Sequence, residues 1–179
     1  MPFEKIQSVP MYQGRAFSVR RDELRIPSGE TVQLDIVDHV GAVTLIPVDG
    51  EGRMWFVRQY RHATGAELLE LPAGTLEAGE APEHCARREI REEIGMAAGK
   101  LAKIGEAFLA PGYSTEYMHF FLATELHPDP LPGDQDEFLT MQAIPVKEAY
   151  QLAETGQMRD AKTLAALLLA RASLADQLS

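Results

Sequence analysis

The stretch "GTLEAGEAPEHCARREIREEIGM", Gly74–Met96, decides how the chain is read. It holds six glutamates, three arginines and one histidine in 23 residues. Pro82 sits where a first-turn proline is tolerated, and Glu80 and Glu83 lie near the positive end of a helix dipole. Gly95 follows Ile94 as a stop signal. Ala86, Ile90 and Ile94 recur every four residues and draw one apolar stripe. The pattern predicts a helix from Pro82 to Ile94. On it Glu89, Glu92 and Glu93 share one side, next to the stripe. Like charges at this spacing repel by a few tenths of a kcal/mol per pair, roughly. Arg88, four residues before Glu92, neutralises part of this. Charged helix runs are most often solvated faces. Clustered carboxylates are also the oxygen ligands that a Mg²⁺ ion takes together with water and substrate phosphate.

Outward from this helix the chain alternates strands and turns. Upstream, "RAFSVRRDEL" and "TVQLDIVDHV" read as strands, the second with alternating Val32, Leu34 and Ile36. "GAVTLIPV" is a near-continuous apolar run, expected to be buried on both faces. "DGEGR" is a hairpin turn, "MWFVRQYR" the returning strand, and "AELLELPAG" an extended lead into the helix. Downstream, "KIGEAFLA", "EYMHFFLATEL" and "FLTMQAIPV" read as strands. "KEAYQLAETG" and "DAKTLAALLLARASLADQL" read as two closing helices. The order predicts an α/β layered fold.

Bulk properties limit the function classes. The chain has 179 residues and a formal charge of −10, which argues against nucleic acid or an anionic membrane as the main partner. One cysteine, Cys85, leaves no internal disulfide and suits a reducing, cytoplasmic setting. "MPFEKIQSVP" lacks signal-peptide features, and "LAALLLA" is too short to span a bilayer. The five histidines show no zinc spacing. Cys85, in mid-helix, reads as a packing residue.

Gly74, five residues, Glu80, seven residues, then Arg88-Glu89-Ile90-Arg91-Glu92-Glu93-Ile94-Gly95-Met96 fits the Nudix box at every defined position. The sequence therefore resembles the Nudix hydrolases from roughly Gly41 onward. The resemblance implies a Nudix fold, an α/β/α sandwich with a mixed sheet, spanning residues 40–179. Residues 1–39 resemble the small β extension that exchanges across a homodimer and clamps the nucleobase, with Tyr12, Phe17 and Arg20 as candidate clamp residues. It also implies Mg²⁺, or Mn²⁺ in its place, as two or three ions. Glu89, Glu92 and Glu93 would carry the metals, with the backbone carbonyl of Ala73 and a late-loop glutamate, Glu137. Arg88 would orient the carboxylates, Glu80 would tie loop to helix, and Gly74 and Gly95 would serve backbone shape.

"RQYR" at Arg58–Arg61, "ELPAG" at Glu70–Gly74 and Pro111, fifteen positions after Met96, resemble the ADP-ribose pyrophosphatase group. That implies Arg61, Glu70, Ser114 and Glu116 at the substrate. The general base is open among Glu137, Asp134, Asp136 and Glu92, because some relatives have a glutamate where this chain has Gln135. The implied activity is hydrolysis of ADP-ribose to AMP and ribose 5-phosphate. The alternatives are another nucleotide sugar such as GDP-mannose, or a non-catalytic ligand sensor on the same fold.

Overall fold

The structure is a computed structural model and describes residues 2–133 and 138–178. Its strands are β1 (Glu4–Gln13), β2 (Ser18–Arg25), β3 (Thr31–Asp38), β4 (Ala42–Pro47), β5 (Arg53–Arg61), β6 (Ala66–Glu70), β7 (Ala73–Thr75), β8 (Met96–Phe108), β9 (Tyr117–Pro128) and β10 (Leu139–Pro145). Its helices are α1 (Pro82–Ile94), α2 (Val146–Glu154) and α3 (Ala161–Ala170). The chain divides into two compact units, Met1–Gly41 with Ala107–Tyr117, and Ala42–Glu106 with Met118–Ser179.

In the first unit β1, β2 and β3 form an antiparallel sheet in that order. Every residue of β1 is exposed, so no apolar alternation marks it in the sequence. Charged cross-strand pairs hold this sheet: Arg21 with Asp35 at 2.6 Å, and Arg20 with Asp38, while Arg20 also pairs with Asp22 on its own strand. The returning segment joins through Val37, whose N–H donates to Tyr113 O at 2.7 Å.

The second unit is organised by β4, whose six residues are all buried, as its apolar run predicts. β4 lies parallel to β9 and antiparallel to β7 in a sheet ordered β7-β4-β9-β8. A second, antiparallel sheet runs β10-β5-β6. Val43 and Leu45 of β4 form one core with Val57, Phe121, Ala123 and the α1 residues Cys85, Ala86, Ile90 and Ile94. α3 also packs on β4. Fully burying such side chains stabilises by about 1.5–3 kcal/mol each, which fixes α1 against the sheet.

α1 spans the residues expected from its pattern. Pro82 opens it, and Gly95 closes it in the left-handed region (φ 68°), its N–H bonded to Ile90 O. Two expectations shift. β8 begins at Met96 instead of Lys103, and its first residues, among which only Ala98 is buried, carry no strong apolar pattern to mark them. α3 stops at Ala170, and the chain continues through a 3₁₀ turn at Ala175–Gln177, with Leu174 still buried. Among the described residues no helix is long and apolar enough to cross a membrane.

Candidate active site

The glutamates of α1 do not share one environment. Glu83 is exposed and pairs with Arg87 at 2.9 Å, an ordinary surface i,i+4 contact. Glu89 and Glu93, by contrast, are buried, each 8% exposed. The geometry that recesses them comes from β7, which passes beside α1. Ala73 N–H donates to Glu93 Oε2 at 3.1 Å. Glu89 lies over the Gly74 backbone so closely that a Cβ at Gly74 would fall 1.8 Å from Glu89 Cδ. Gly74 is therefore required for close approach and not for an unusual φ, which corrects the reading of it as a backbone-shape residue. Gly95 does carry the positive φ.

Arg88 gathers the acids. Its Nε and Nη2 donate to Glu80 Oε1 and Oε2 at 3.1 and 3.0 Å, a bidentate pair. Its Nη1 donates to Glu89 Oε1 at 2.6 Å and to Glu92 Oε2 at 2.8 Å. The Glu80 bonds, followed by the charge on Glu89 and the hydrogen bonds to Glu92 and Glu89, hold the guanidinium above its ordinary pKa against the opposing effect of burial. Glu80 in turn is held down to about 2, chiefly by Arg88, with burial opposing and the Glu77 N–H assisting at 3.0 Å. Glu80 thus ties the loop before α1 to the helix. Cys85 sits beneath this cluster, fully buried, its thiol pushed up first by burial and then by Glu89 and Glu80. It is not a nucleophile.

Among the described residues, no group of three or more His, Cys, Asp or Glu side chains stands placed to hold a metal ion. Glu89 and Glu92 are turned onto Arg88. The donor set still suits a hard cation: three carboxylates on one helix, two of them recessed, beside a strand that only glycine lets approach. Asp134, Asp136 and Glu137, the late-loop candidates, lie outside the described residues, as does Gln135.

Arg61, at the end of β5, reaches Glu70 at the end of β6. Its Nε and Nη2 donate to Glu70 Oε1 and Oε2 at 2.8 and 2.7 Å. Glu70 is 1% exposed and also accepts from Lys162 Nζ. Burial works against its charge, yet Arg61 and Lys162 hold its carboxyl below the ordinary range. Arg61 is raised by its bonds to Glu70, against the opposing effect of burial, and more weakly by the charges of Glu70, Asp160 and Glu93. Lys162, Asp160 and Thr163 were missed by sequence reasoning. The only local signal for them is the cap pattern "DAKT", in which Asp160 accepts from Thr163 N–H at 3.0 Å.

In the first unit, Ser114 Oγ accepts from Glu116 N–H at 3.1 Å, and both are part-buried. Tyr12 and Phe17 lie with ring centroids 6.2 Å apart and remain exposed, while Arg20 is paired with Asp22 and Asp38. A cleft borders α1, lined by His84, Arg87, Arg88, Arg91, Asp129 and Leu131, among others. Arg91 is already held there by Asp129 at 3.1 Å.

With this geometry in place, the sequence profile of the NUDIX domain matches residues 38–167. The chain belongs to the Nudix family. This Nudix chain is 36% identical over 159 residues to the ADP-ribose pyrophosphatase of Bacillus subtilis (strain 168), covering 88% of this chain and 86% of the relative. It is 33% identical over 162 residues to the GDP-mannose pyrophosphatase of Yersinia pestis (strain Pestoides F), covering 83% and 81%. A solved structure described as an ADP compounds hydrolase superposes with a TM-score of 0.87 at 25% identity, covering 99% of this chain and 96% of that one.

Proposed function

We propose that this Nudix protein is a divalent-metal-dependent pyrophosphohydrolase that splits ADP-ribose into AMP and ribose 5-phosphate. The observation that carries the reading is the recessed carboxylate cluster on α1, organised by Arg88 and laid against Gly74. A solvated helix face would need none of these features. The relatives' names point to nucleoside diphosphates linked to a second group, and the ADP-ribose pyrophosphatase likeness favours adenosine over guanosine.

In this reading Glu89, Glu92 and Glu93, with the Ala73 carbonyl and Glu137, hold Mg²⁺, as two or three ions, with Mn²⁺ able to substitute. A cation held there would supply charge neutralisation for the diphosphate and would lower the pKa of the attacking water. The chain's own residues do the rest. Arg88 keeps the carboxylates oriented for the ions. Arg61 presents its guanidinium to the diphosphate, and Glu70 acts through Arg61 because its own carboxylate is buried. Ser114 and Glu116 contribute to substrate binding. A carboxylate, drawn from Glu137, Asp134, Asp136 or Glu92, takes the proton of the water whose oxygen bonds to phosphorus. The bond between that phosphorus and the bridging oxygen breaks, and the leaving phosphate carries the electron pair. A base so positioned contributes about 10²–10⁴ in rate.

The N-terminal sheet is proposed as the dimerisation and substrate-clamp element. Exposed Phe3, Ile6, Val9, Met11 and Tyr12 on β1 and its approach support a surface that a second copy covers. Cytoplasmic residence is proposed from the lone, reduced and buried cysteine.

The test is a panel of ADP-ribose, GDP-mannose and other nucleotide sugars incubated with Mg²⁺, with products identified. The reading expects the highest kcat/KM on ADP-ribose, with AMP and ribose 5-phosphate formed. A higher kcat/KM on GDP-mannose would replace the substrate. ADP-ribose bound but intact after hours would replace the enzyme with a sensor.

A further inference from the structure

Lys162 lies in α3, 92 residues from its partner Glu70, and is 8% exposed. A buried ammonium is costly unless fully paired, so its position calls for a reason. Its Nζ donates to Glu70 Oε2 and to Asp160 Oδ2, the latter at 2.9 Å. Asp160 caps α3 and also accepts from Thr163 Oγ1 at 2.6 Å. Thr163 Oγ1 accepts from Leu71 N–H at 2.9 Å, which fastens the α3 start to the residue after Glu70. The other side of Glu70 is the Arg61 fork, whose side chain is 41% exposed. Among the described residues, Arg61 Nη1 donates to nothing, while Nε and Nη2 are both spent on Glu70.

Charges in this group balance: Arg61 and Lys162 against Glu70 and Asp160. Without Lys162, two carboxylates would face one arginine. An anionic diphosphate reaching Arg61 would then meet a net negative group, and Glu70 would lose the contact that fixes its Oε2 and, with it, the plane of the fork.

We infer that Lys162 is a positioning residue for substrate binding: it shares the Glu70 carboxylate so that Arg61 stays oriented toward the diphosphate and the group around it carries no net negative charge. The inference rests on the proposed hydrolase reading and deepens it. It distinguishes this lysine from packing residues of the same helix, such as Leu167, whose carbonyl accepts from Tyr150 Oη at 2.7 Å.

The experiment measures kcat, KM for ADP-ribose with Mg²⁺, and Tm for the parent, Lys162→Met, Lys162→Arg and Tyr150→Phe. Lys162→Met is expected to raise KM by about tenfold or more while changing kcat little. Lys162→Arg is expected to restore most of the KM. Tyr150→Phe removes a buried hydrogen bond of α3 and is expected to lower Tm with KM unchanged. Should Lys162→Met fail to fold, Lys162→Gln carries the same expectation, since it keeps a donor and removes the charge. A parental KM in the neutral variant overturns the inference, as does a KM increase in Tyr150→Phe equal to that of Lys162→Met. If the parent hydrolyses neither ADP-ribose nor GDP-mannose, the functional reading falls and takes this inference with it. If the parent turns over and KM ignores Lys162, this inference alone falls.

Discussion

Replacing Gly74 by alanine adds one carbon at the point where α1 meets β7. That carbon would sit 1.8 Å from Glu89 Cδ, 1.9 Å from Oε1 and 2.3 Å from Oε2. Non-bonded carbons settle at about 3.5–4.0 Å, so the carboxylate must retreat by about 2 Å. Gly74 is not in the left-handed region, so alanine meets no backbone penalty there. The fold is only mildly affected: the displaced group is the end of a flexible side chain, and an overpacking cost of about 1 kcal/mol is partly offset by the stiffer unfolded chain. Activity is a different matter. A misplacement of about 1 Å at a reacting centre costs about 10²-fold, so kcat/KM should fall by at least that factor, about 2.7 kcal/mol of transition-state stabilisation. The assay pairs kcat/KM on ADP-ribose at saturating Mg²⁺ with Tm. The double variant Gly74→Ala with Glu89→Asp shortens the acid and tests whether the clash is relieved. Activity of Gly74→Ala near the parental value, with Tm unchanged, would refute the claim that Glu89 works from this position.

Two further predictions come from the same cluster. Glu80 has its carboxyl at about 2 in the folded protein, below the ordinary glutamate value of 4.5, so it contributes stability that is full above about 4.5 and is lost as pH falls through about 2. Glu80→Gln should therefore lower Tm at neutral pH, by roughly 1.5–3 kcal/mol of stability, and the gap to the parent should narrow between those two pH values; parallel curves would contradict the Arg88 pairing. Cys85 should resist thiol-specific reagents in the native protein and react fully in denaturant, because it is buried and its thiol is pushed up by burial and the neighbouring acids. Fast native-state labelling would show that α1 opens from the sheet.

What the sequence disclosed follows from which interactions are local. The limits of α1 depend on Pro82, Gly95 and an apolar stripe, all within the helix, and could be read directly. β4 could be read because burial on both faces leaves a continuous apolar run. β1 left no such mark, since all of its residues are exposed. The acids of α1 could be grouped by spacing, and Arg88 assigned to them, because the partners lie within eight residues. The reason for Gly74 could not be read, because it depends on how β7 crosses α1. Glu70 was expected at the substrate, but its burial and its bond to Lys162 depend on α3 arriving from 92 residues away. "DAKT" signals only a helix start until that packing is known.

The central claim is that the recessed α1 carboxylates carry a metal-dependent hydrolysis. Its most direct test is AMP release from ADP-ribose by the parent and by Glu93→Gln, each across a Mg²⁺ titration and with chelator. Glu93→Gln keeps the shape of the side chain, removes its charge and leaves one oxygen to accept the Ala73 N–H. The account predicts Mg²⁺-dependent release by the parent, abolished by chelator, and a loss of at least about 10²-fold in the variant even at saturating Mg²⁺. Equal rates for the two proteins at saturating Mg²⁺ would contradict it.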